Sequence, residues 1–364
     1  MTLAVPFVAA LVLSALTVWL ARGLAHRRDW LDRPNSRSSH EVPIPRLGGI
    51  GVWLATLVVT VVAALAGESW PLDDTYLWPV LLGGLIMAAT GLADDLLPRG
   101  LTPATKYSGQ LAAALATIVA AKGFLPSAAL SEIAGSTTGA LLVVVLVGSF
   151  QVLWLTAYAN FANFMDGSDG LLAGVSIIGL ASLAFLLSGN ERGLAGLALV
   201  AAAATLGLLA FNRPPAGIFM GDSGSLFLGY LLAALCLAWT VAGADALGIT
   251  LPGLGRVWLH KVGTAVILMA PLWVDTVTTL LIRFLRHRRL IEAHRDHLYQ
   301  RMLQAGKSPV TVCVAYWTYA VACGGAAILT TTNGLLGTIS GLVLVVGGIT
   351  AVVGSHRIGL AVEP

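Results

Sequence analysis

Eleven apolar runs, most of them close to the roughly 20 residues that a helix needs to cross bilayer hydrocarbon, dominate this chain. They lie at about 2–22, 47–67, 77–93, 107–123, 138–159, 170–189, 193–211, 225–243, 261–283, 310–329 and 334–354. The runs at 77–93 and 107–123 are the shortest. Only 11% of the 364 residues are charged and 57% are hydrophobic, whereas an ordinary soluble domain is roughly 25% charged. The chain is therefore expected to be an all-α polytopic membrane protein of about 11 transmembrane helices. No repeat, low-complexity linker or soluble segment divides it, so one integral membrane domain is expected over 1–364. The first run is followed, not preceded, by its basic cluster (Arg22, Arg27, Arg28), which is not the layout of a cleavable signal peptide. Cys236, Cys313 and Cys323 fall in apolar runs without CxxC or Cys/His spacing. They read as small buried hydrophobes.

The formal net charge of +3 is small, and its distribution is more informative. Of the 21 Lys and Arg, only Lys122, Arg192, Arg256 and Lys261 fall in even-numbered connections. The others lie in the odd connections or the C-terminal tail. The positive-inside rule then sets the N-terminus outside and the odd connections and C-terminus in the cytoplasm.

The unusual polar segments all sit on that cytoplasmic face. They are LDRPNSRSSHEVPIPRLGG (31–49), GLADDLLPRGLTPATK (91–106), NFANFMDGSDGL (160–171), FNRPPAGIFMGDSGS (211–225) and HRRLIEAHRDHLYQRM (287–302). Carboxylates from separate loops, with amides beside them, make a hard oxygen site. Such a site suits Mg²⁺ or Mn²⁺ better than zinc. Arg and His suit phosphate oxygens, and the glycines of DGSDG and GDSG let backbone N–H groups approach an anion. Basic loops at this face suit an anionic soluble donor or anionic headgroups. Together these features point to metal-assisted phosphoryl chemistry at a membrane interface.

Each piece alone has a plainer reading. Asp94 and Asp95 could simply end a span, Asp222 could sit in a turn, and the arginines of the ninth loop could only set orientation. Their coincidence on one face outweighs these separate explanations. His26, His40, His260, His287 and His356 read as surface residues, with His40 the most suggestive, and the tryptophans as interfacial anchors. Asp275, in PLWVDT inside the ninth run, is either functional or the buried partner of an arginine.

The motif set DD (94–95), NFANFMDGSDGL, FMGDSGSLFLG and HRDHLYQRM resembles, in order and over nearly the whole chain, the polyprenyl-phosphate N-acetylhexosamine-1-phosphate transferases of glycosyltransferase family 4. The resemblance implies Mg²⁺ as cofactor, with Mn²⁺ as a substitute, held by Asp222 and the amide of Asn163. It puts Asp94 and Asp95 near the metal and lipid phosphate, Lys106 (in KYSGQ) on the phosphates, and Asp166 and Asp169 in the uridine and metal neighbourhood. His294, Arg295 and His297 would hold the donor diphosphate and sugar, and Asn160, Gly170, Arg37 and His40 would complete the substrate-binding set. The implied partners are a UDP-N-acetylhexosamine, undecaprenyl phosphate and the bilayer, with no nucleic acid. The implied location is a bacterial inner membrane, with a homodimer as a further family-based expectation.

The histidine loop, HRDH, departs from the tight triplet of the peptidoglycan branch. Loop 1 and the HLYQ ending look closer to the branch that initiates O-antigen-type polysaccharides. This disfavours the muramoyl-pentapeptide donor and leaves UDP-GlcNAc or a UDP-N-acetylated 6-deoxyhexosamine. The expected reaction is attack of the lipid phosphate on the sugar-side phosphorus of the donor, with release of UMP. The second pKa of a phosphate monoester is near ~6, so the acceptor is largely dianionic and base catalysis is secondary; a covalent phospho-aspartate path is the rival. Two alternative classes are an ion-coupled transporter and a non-catalytic lipid- or sugar-binding scaffold that has kept the fold, the latter disfavoured by the intact acidic set. Transporter acids lie near the midplane on broken helices, whereas these acids cluster at span ends.

Overall fold

In the computed structural model, residues 4–33, 42–66, 75–124, 138–189, 191–241, 251–289 and 294–360 are described. Long apolar segments whose prolines fall in the first turn give helices α1 (Ala4–Arg28), α2 (Gly49–Leu65), α3 (Leu77–Leu96), α4 (Pro103–Ala120), α5 (Thr138–Met165), α6 (Leu171–Leu187), α7 (Arg192–Asn212) and α8 (Asp222–Val241). They continue with α9 (Leu251–Leu268), α10 (Ala270–Leu285), the short α11 (Leu298–Gln304), α12 (Pro309–Thr332) and α13 (Gly334–Leu360). Local chemistry marks several starts. Thr102 accepts a hydrogen bond from Thr105 N ahead of a proline in the first turn of α4, and Ser308 does the same for α12 from Thr311 N. A two-residue antiparallel pairing, Leu31–Asp32 with Ile44–Pro45, ties the ends of the first connection.

Helix α8 is the axis of the bundle. From Ser223 to Val241 every residue is buried, as expected of a helix apolar all round. It packs against α2, α3, α5, α6 and α9. Small residues permit the approach: a Cβ on Gly229 would run into Ala159 and Ala162 of α5. One large buried cluster links residues from α1 through α12. All three cysteines are free and buried.

Each expected apolar run overlaps a helix, but not every helix is a full span. Among the described residues seven helices are long and apolar enough to cross a membrane, and eight if a bent pair is taken as one. The two helices of 17 residues, α2 and α6, reach about 25 Å at 1.5 Å per residue, short of the roughly 30 Å hydrocarbon core. The ninth run is broken. Val257–Leu268 and Ala270–Leu285 meet at 80°, beside a proline in the first turn of α10 that has no N–H to continue the ladder.

A further difference concerns the motifs. The fifth run is expected to end near 159, yet α5 continues to Met165, because Ala162 and Met165 bury into the core. Asn160 and Asn163 are therefore helical. Likewise Asp94 and Asp95 lie in the last turn of α3, Lys106 in the first turn of α4, and Asp222 opens α8. Six of the expected loop residues are thus helical.

Candidate active site

The ends of α3, α4, α5 and α8 meet at one end of the bundle. Asp222 is the hub. Its carboxylate pairs with Lys106 Nζ and accepts from Asn163 Nδ2 at 2.8 Å. Lys106 also lies 3.7 Å from Asp94 Oδ2, so its ammonium stands between two carboxylates. Asn163 Nδ2 reaches Ser225 Oγ at 3.0 Å. Asp94 Oδ1 accepts from Leu101 N at 2.8 Å, which fixes the α3–α4 turn.

Asp95 works differently. Its two oxygens accept from Asp222 N and Ser223 N, each at 3.0 Å. It thus caps the N-terminus of α8 from a neighbouring helix, where the orphan donors and the dipole favour a carboxylate. Arg46 donates to the Asp95 carbonyl at 3.0 Å. The approach requires a residue without Cβ at 221: Gly221 has φ +74°, and a Cβ there would come within 2.7 Å of Asp95 Oδ2.

Asp166 follows α5 directly. Burial, and then the nearby charges of Asp222, Asp95 and Asp169, push its carboxyl well above the ordinary range. Asp169 faces a separate cleft of about 880 Å³, whose polar wall includes Ser168, Asp169, Arg295, Gln300 and Lys307. Asp169 Oδ2 accepts from Ala216 N at 2.9 Å. Gly170 acts through its backbone: at φ +72° it begins α6 and donates to Asn212 Oδ1 at 3.0 Å. Asn160 pairs with Gln110 through both amides, at 2.7 and 3.2 Å, and so braces α5 against α4.

The HRDH segment approaches from the other side. His297 stacks on Phe164, the neighbour of Asn163, at 6.2 Å between ring centroids, and on Tyr299 at 6.0 Å. Tyr299 OH donates to the Phe164 carbonyl at 3.0 Å. Asp296 pairs with Arg283; burial alone would raise its carboxyl, but the guanidinium holds it below the usual range. Burial, then His297 and Arg283, lower His294 to about 4, consistent with its Nδ1 lying 3.4 Å from Asp296 N as an acceptor.

The structure thus brings Asp94, Asp95, Lys106, Asn163 and Asp222 together, sets Asp169 and Arg295 on one cleft, and docks His297 against α5. Asn160 and Gly170 meet neighbouring helices and loops. Arg37 and His40 lie outside the described residues. Sequence reasoning did not anticipate Ser225, Asn212, Gln110, Tyr299 or the Arg283–Asp296 pair, although Ser225 and Gln110 sit in the GDSGS and KYSGQ motifs. Two expectations change. Among the described residues, Asp275 meets His297, Tyr316, Thr279 and the backbone of α11 instead of an arginine. His356 is buried, not a surface residue, because α13 packs on α10 and α11.

Among the described residues, no three His, Cys, Asp or Glu side chains form a cage for a metal. Mg²⁺ does not require one, since it usually takes one or two carboxylates plus substrate phosphates. The donor set of Asp222, Asn163 and Asp94, with a lysine ammonium already lodged between the two acids, fits a hard cation.

Comparison with known proteins places the chain in a family. The family model described as glycosyl transferase family 4 matches residues 77–240, which include the carboxylate centre. A decaprenyl-phosphate N-acetylglucosaminephosphotransferase of Mycolicibacterium smegmatis is 30% identical over 88% of this chain and 80% of its own length. A probable undecaprenyl-phosphate N-acetylglucosaminyl 1-phosphate transferase of Bacillus subtilis is 28% identical over 85% and 81%. A phospho-N-acetylmuramoyl-pentapeptide-transferase of Geobacillus kaustophilus is 32% identical, but over 65% of this chain and 73% of its own length. A multi-helix membrane enzyme with an acidic centre at its helix ends is the class defined here, and the chain belongs to glycosyl transferase family 4, among the polyprenyl-phosphate N-acetylhexosamine-1-phosphate transferases.

Proposed function

We propose that this chain transfers N-acetylhexosamine-1-phosphate from a UDP-sugar, UDP-GlcNAc first among the candidates, to undecaprenyl phosphate and releases UMP. The reaction would open synthesis of a cell-surface polysaccharide. Loop 1 and the HLYQ ending favour the O-antigen type. The observation that carries the reading is the Lys106–Asp222–Asn163 cluster with Asp94 beside it. It is an oxygen site suited to a hard cation at the end of membrane helices, and the same chain carries a cleft whose wall includes the basic residues Arg295 and Lys307.

The positive-inside distribution supports a cytoplasmic site in a bacterial membrane. Mg²⁺, or Mn²⁺ in its place, would be held by Asp222 and Asn163 and would supply neutralisation of diphosphate charge. The chain's own groups do the rest. Asp95 fixes the start of α8 and so the direction of Asp222. Lys106 can leave its carboxylates for phosphate oxygens, and Arg295 and Lys307 suit the anionic donor. An acceptor phosphate oxygen forms the new bond to the sugar-side phosphorus. The bond to UMP breaks, and UMP leaves with the electron pair. The acceptor needs little help from a base, so Asp94 is assigned to positioning. The N-acetylglucosamine relatives align over 85% and 88% of the chain, against 65% for the muramoyl-pentapeptide relative, which favours the smaller donor.

The test uses purified protein in detergent with undecaprenyl phosphate and a panel of UDP-N-acetylhexosamines, with Mg²⁺ or with chelator. Lipid- and Mg²⁺-dependent UMP release from one donor is expected. A folded protein that releases UMP from none of them would overturn the proposal.

A further inference from the structure

Asp275 is a buried acid that neither the carboxylate centre nor the cleft uses. It lies inside α10, 3% exposed. Three neutral donors reach it: Leu298 N at 2.9 Å, Thr279 Oγ1 at 3.1 Å and Tyr316 OH at 2.6 Å. The ion-pair contact found for it among the described residues is His297, with Nδ1 at 3.6 Å from Asp275 Oδ1. His297 is itself only 4% exposed, and its Nδ1 has no hydrogen-bond partner within ordinary limits; the Gln300 backbone N–H faces the same side chain in a capping box that falls short of a hydrogen bond. A buried carboxylate is costly unless a charge or several donors answer it.

We propose that Asp275 is a positioning residue for His297, holding the Nδ1 side of the imidazole so that Nε2 is the nitrogen presented to substrate. This rests on the transferase reading, in which His297 belongs to the donor-binding loop. The logic is that of any carboxylate behind a histidine: the partner of one ring nitrogen sets the tautomer and the aim of the other. At 3.6 Å the contact is longer than a hydrogen bond, and such contacts often tighten only in the substrate complex. Stacking on Phe164 and Tyr299 fixes the ring plane, while Asp275 fixes its rotation. The same carboxylate also caps Leu298 N, so α11 and its histidine are placed by one group.

A double-mutant cycle tests whether Asp275 acts through His297, and a second background separates positioning from capping. Asp275→Asn, His297→Gln and the double variant are compared by kcat/KM for the donor that the wild type accepts, with thermal unfolding as the fold control. Each single change is expected to lower kcat/KM by about 10- to 100-fold, with the double variant no worse than His297→Gln alone. Losses that multiply would overturn the proposal and leave Asp275 as a helix cap. Leu298→Pro gives a second test. It removes the capped N–H at a first-turn position that tolerates proline, and His297 is already extended there, at φ −62° and ψ 148°. Asp275→Asn must still lower kcat/KM in that background; no effect there refutes positioning. If the wild type itself shows no lipid-dependent UMP release, the transferase reading fails and takes this inference with it. If it does, the cycle judges Asp275 alone.

Discussion

The carboxylate centre and the histidine segment are built in opposite ways. Asp94, Asp95, Lys106, Asn163 and Asp222 stand on the ends of four helices, and α8 is wholly buried beyond its first residue. His294, Arg295 and His297 stand on an irregular stretch leading into a helix of 7 residues. That stretch is held from outside, by Asp275, by the Arg283–Asp296 pair and by stacking on Phe164. Groups that hold charge at a reacting centre need fixed geometry, and helix ends provide it. Groups that recognise a donor tolerate adjustment and can sit on a tethered loop.

The largest effect should come from the rigid centre. Asp222→Ala is expected to lower turnover by on the order of a thousandfold or more, since it removes the hub of the proposed cation site; UMP release measures it, and wild-type-like turnover would break the assignment. On the cleft side, Arg295→Ala should raise the donor KM by roughly tenfold while kcat stays within a few-fold, because it removes ground-state binding. A drop in kcat at constant KM would move Arg295 to the chemistry and erase the contrast.

Stability should sharpen the comparison further. Gly221→Ala forces a Cβ at φ +74° against the Asp95 carboxylate, so a loss of about 1–3 kcal/mol is expected, read as a lower thermal midpoint. An unchanged midpoint would mean that the α8 N-terminus is not held as tightly as its hydrogen bonds imply. The smallest effect belongs to His294. Its folded pKa, about 4, lies below the ordinary 6.5. Between those values the unfolded chain binds a proton that the folded chain refuses, so stability falls as pH falls through that window. His294→Gln should flatten this acid-side slope. An unchanged slope would show that other groups produce it.

Much of the helical layout is legible because apolar runs near span length have few alternatives, and the motif residues Asp222, Asp94 and Asn163 are legible by their polarity in a greasy chain. The break at Met269 is less so: a proline in an apolar run marks a possible kink but not an 80° turn. Asp95 reads as an equal of Asp94, because adjacent carboxylates look alike until the backbone shows that one faces Lys106 and the other caps α8. The sequence leaves Asp275 between two roles because its partners, Tyr316 and His297, come from segments beyond its own helix.

The amino-acid sequence by itself determined that this chain would lie in a membrane as helices and that its acids, amides and histidines would gather at one end. Hydrophobic length and charge distribution act locally and need no partner. Only the tertiary structure decided which oxygens remain available, because each carboxylate's role depends on the donors that distant helices bring to it. That is why Asp222 faces Lys106 and Asn163 while Asp95 serves the backbone of α8.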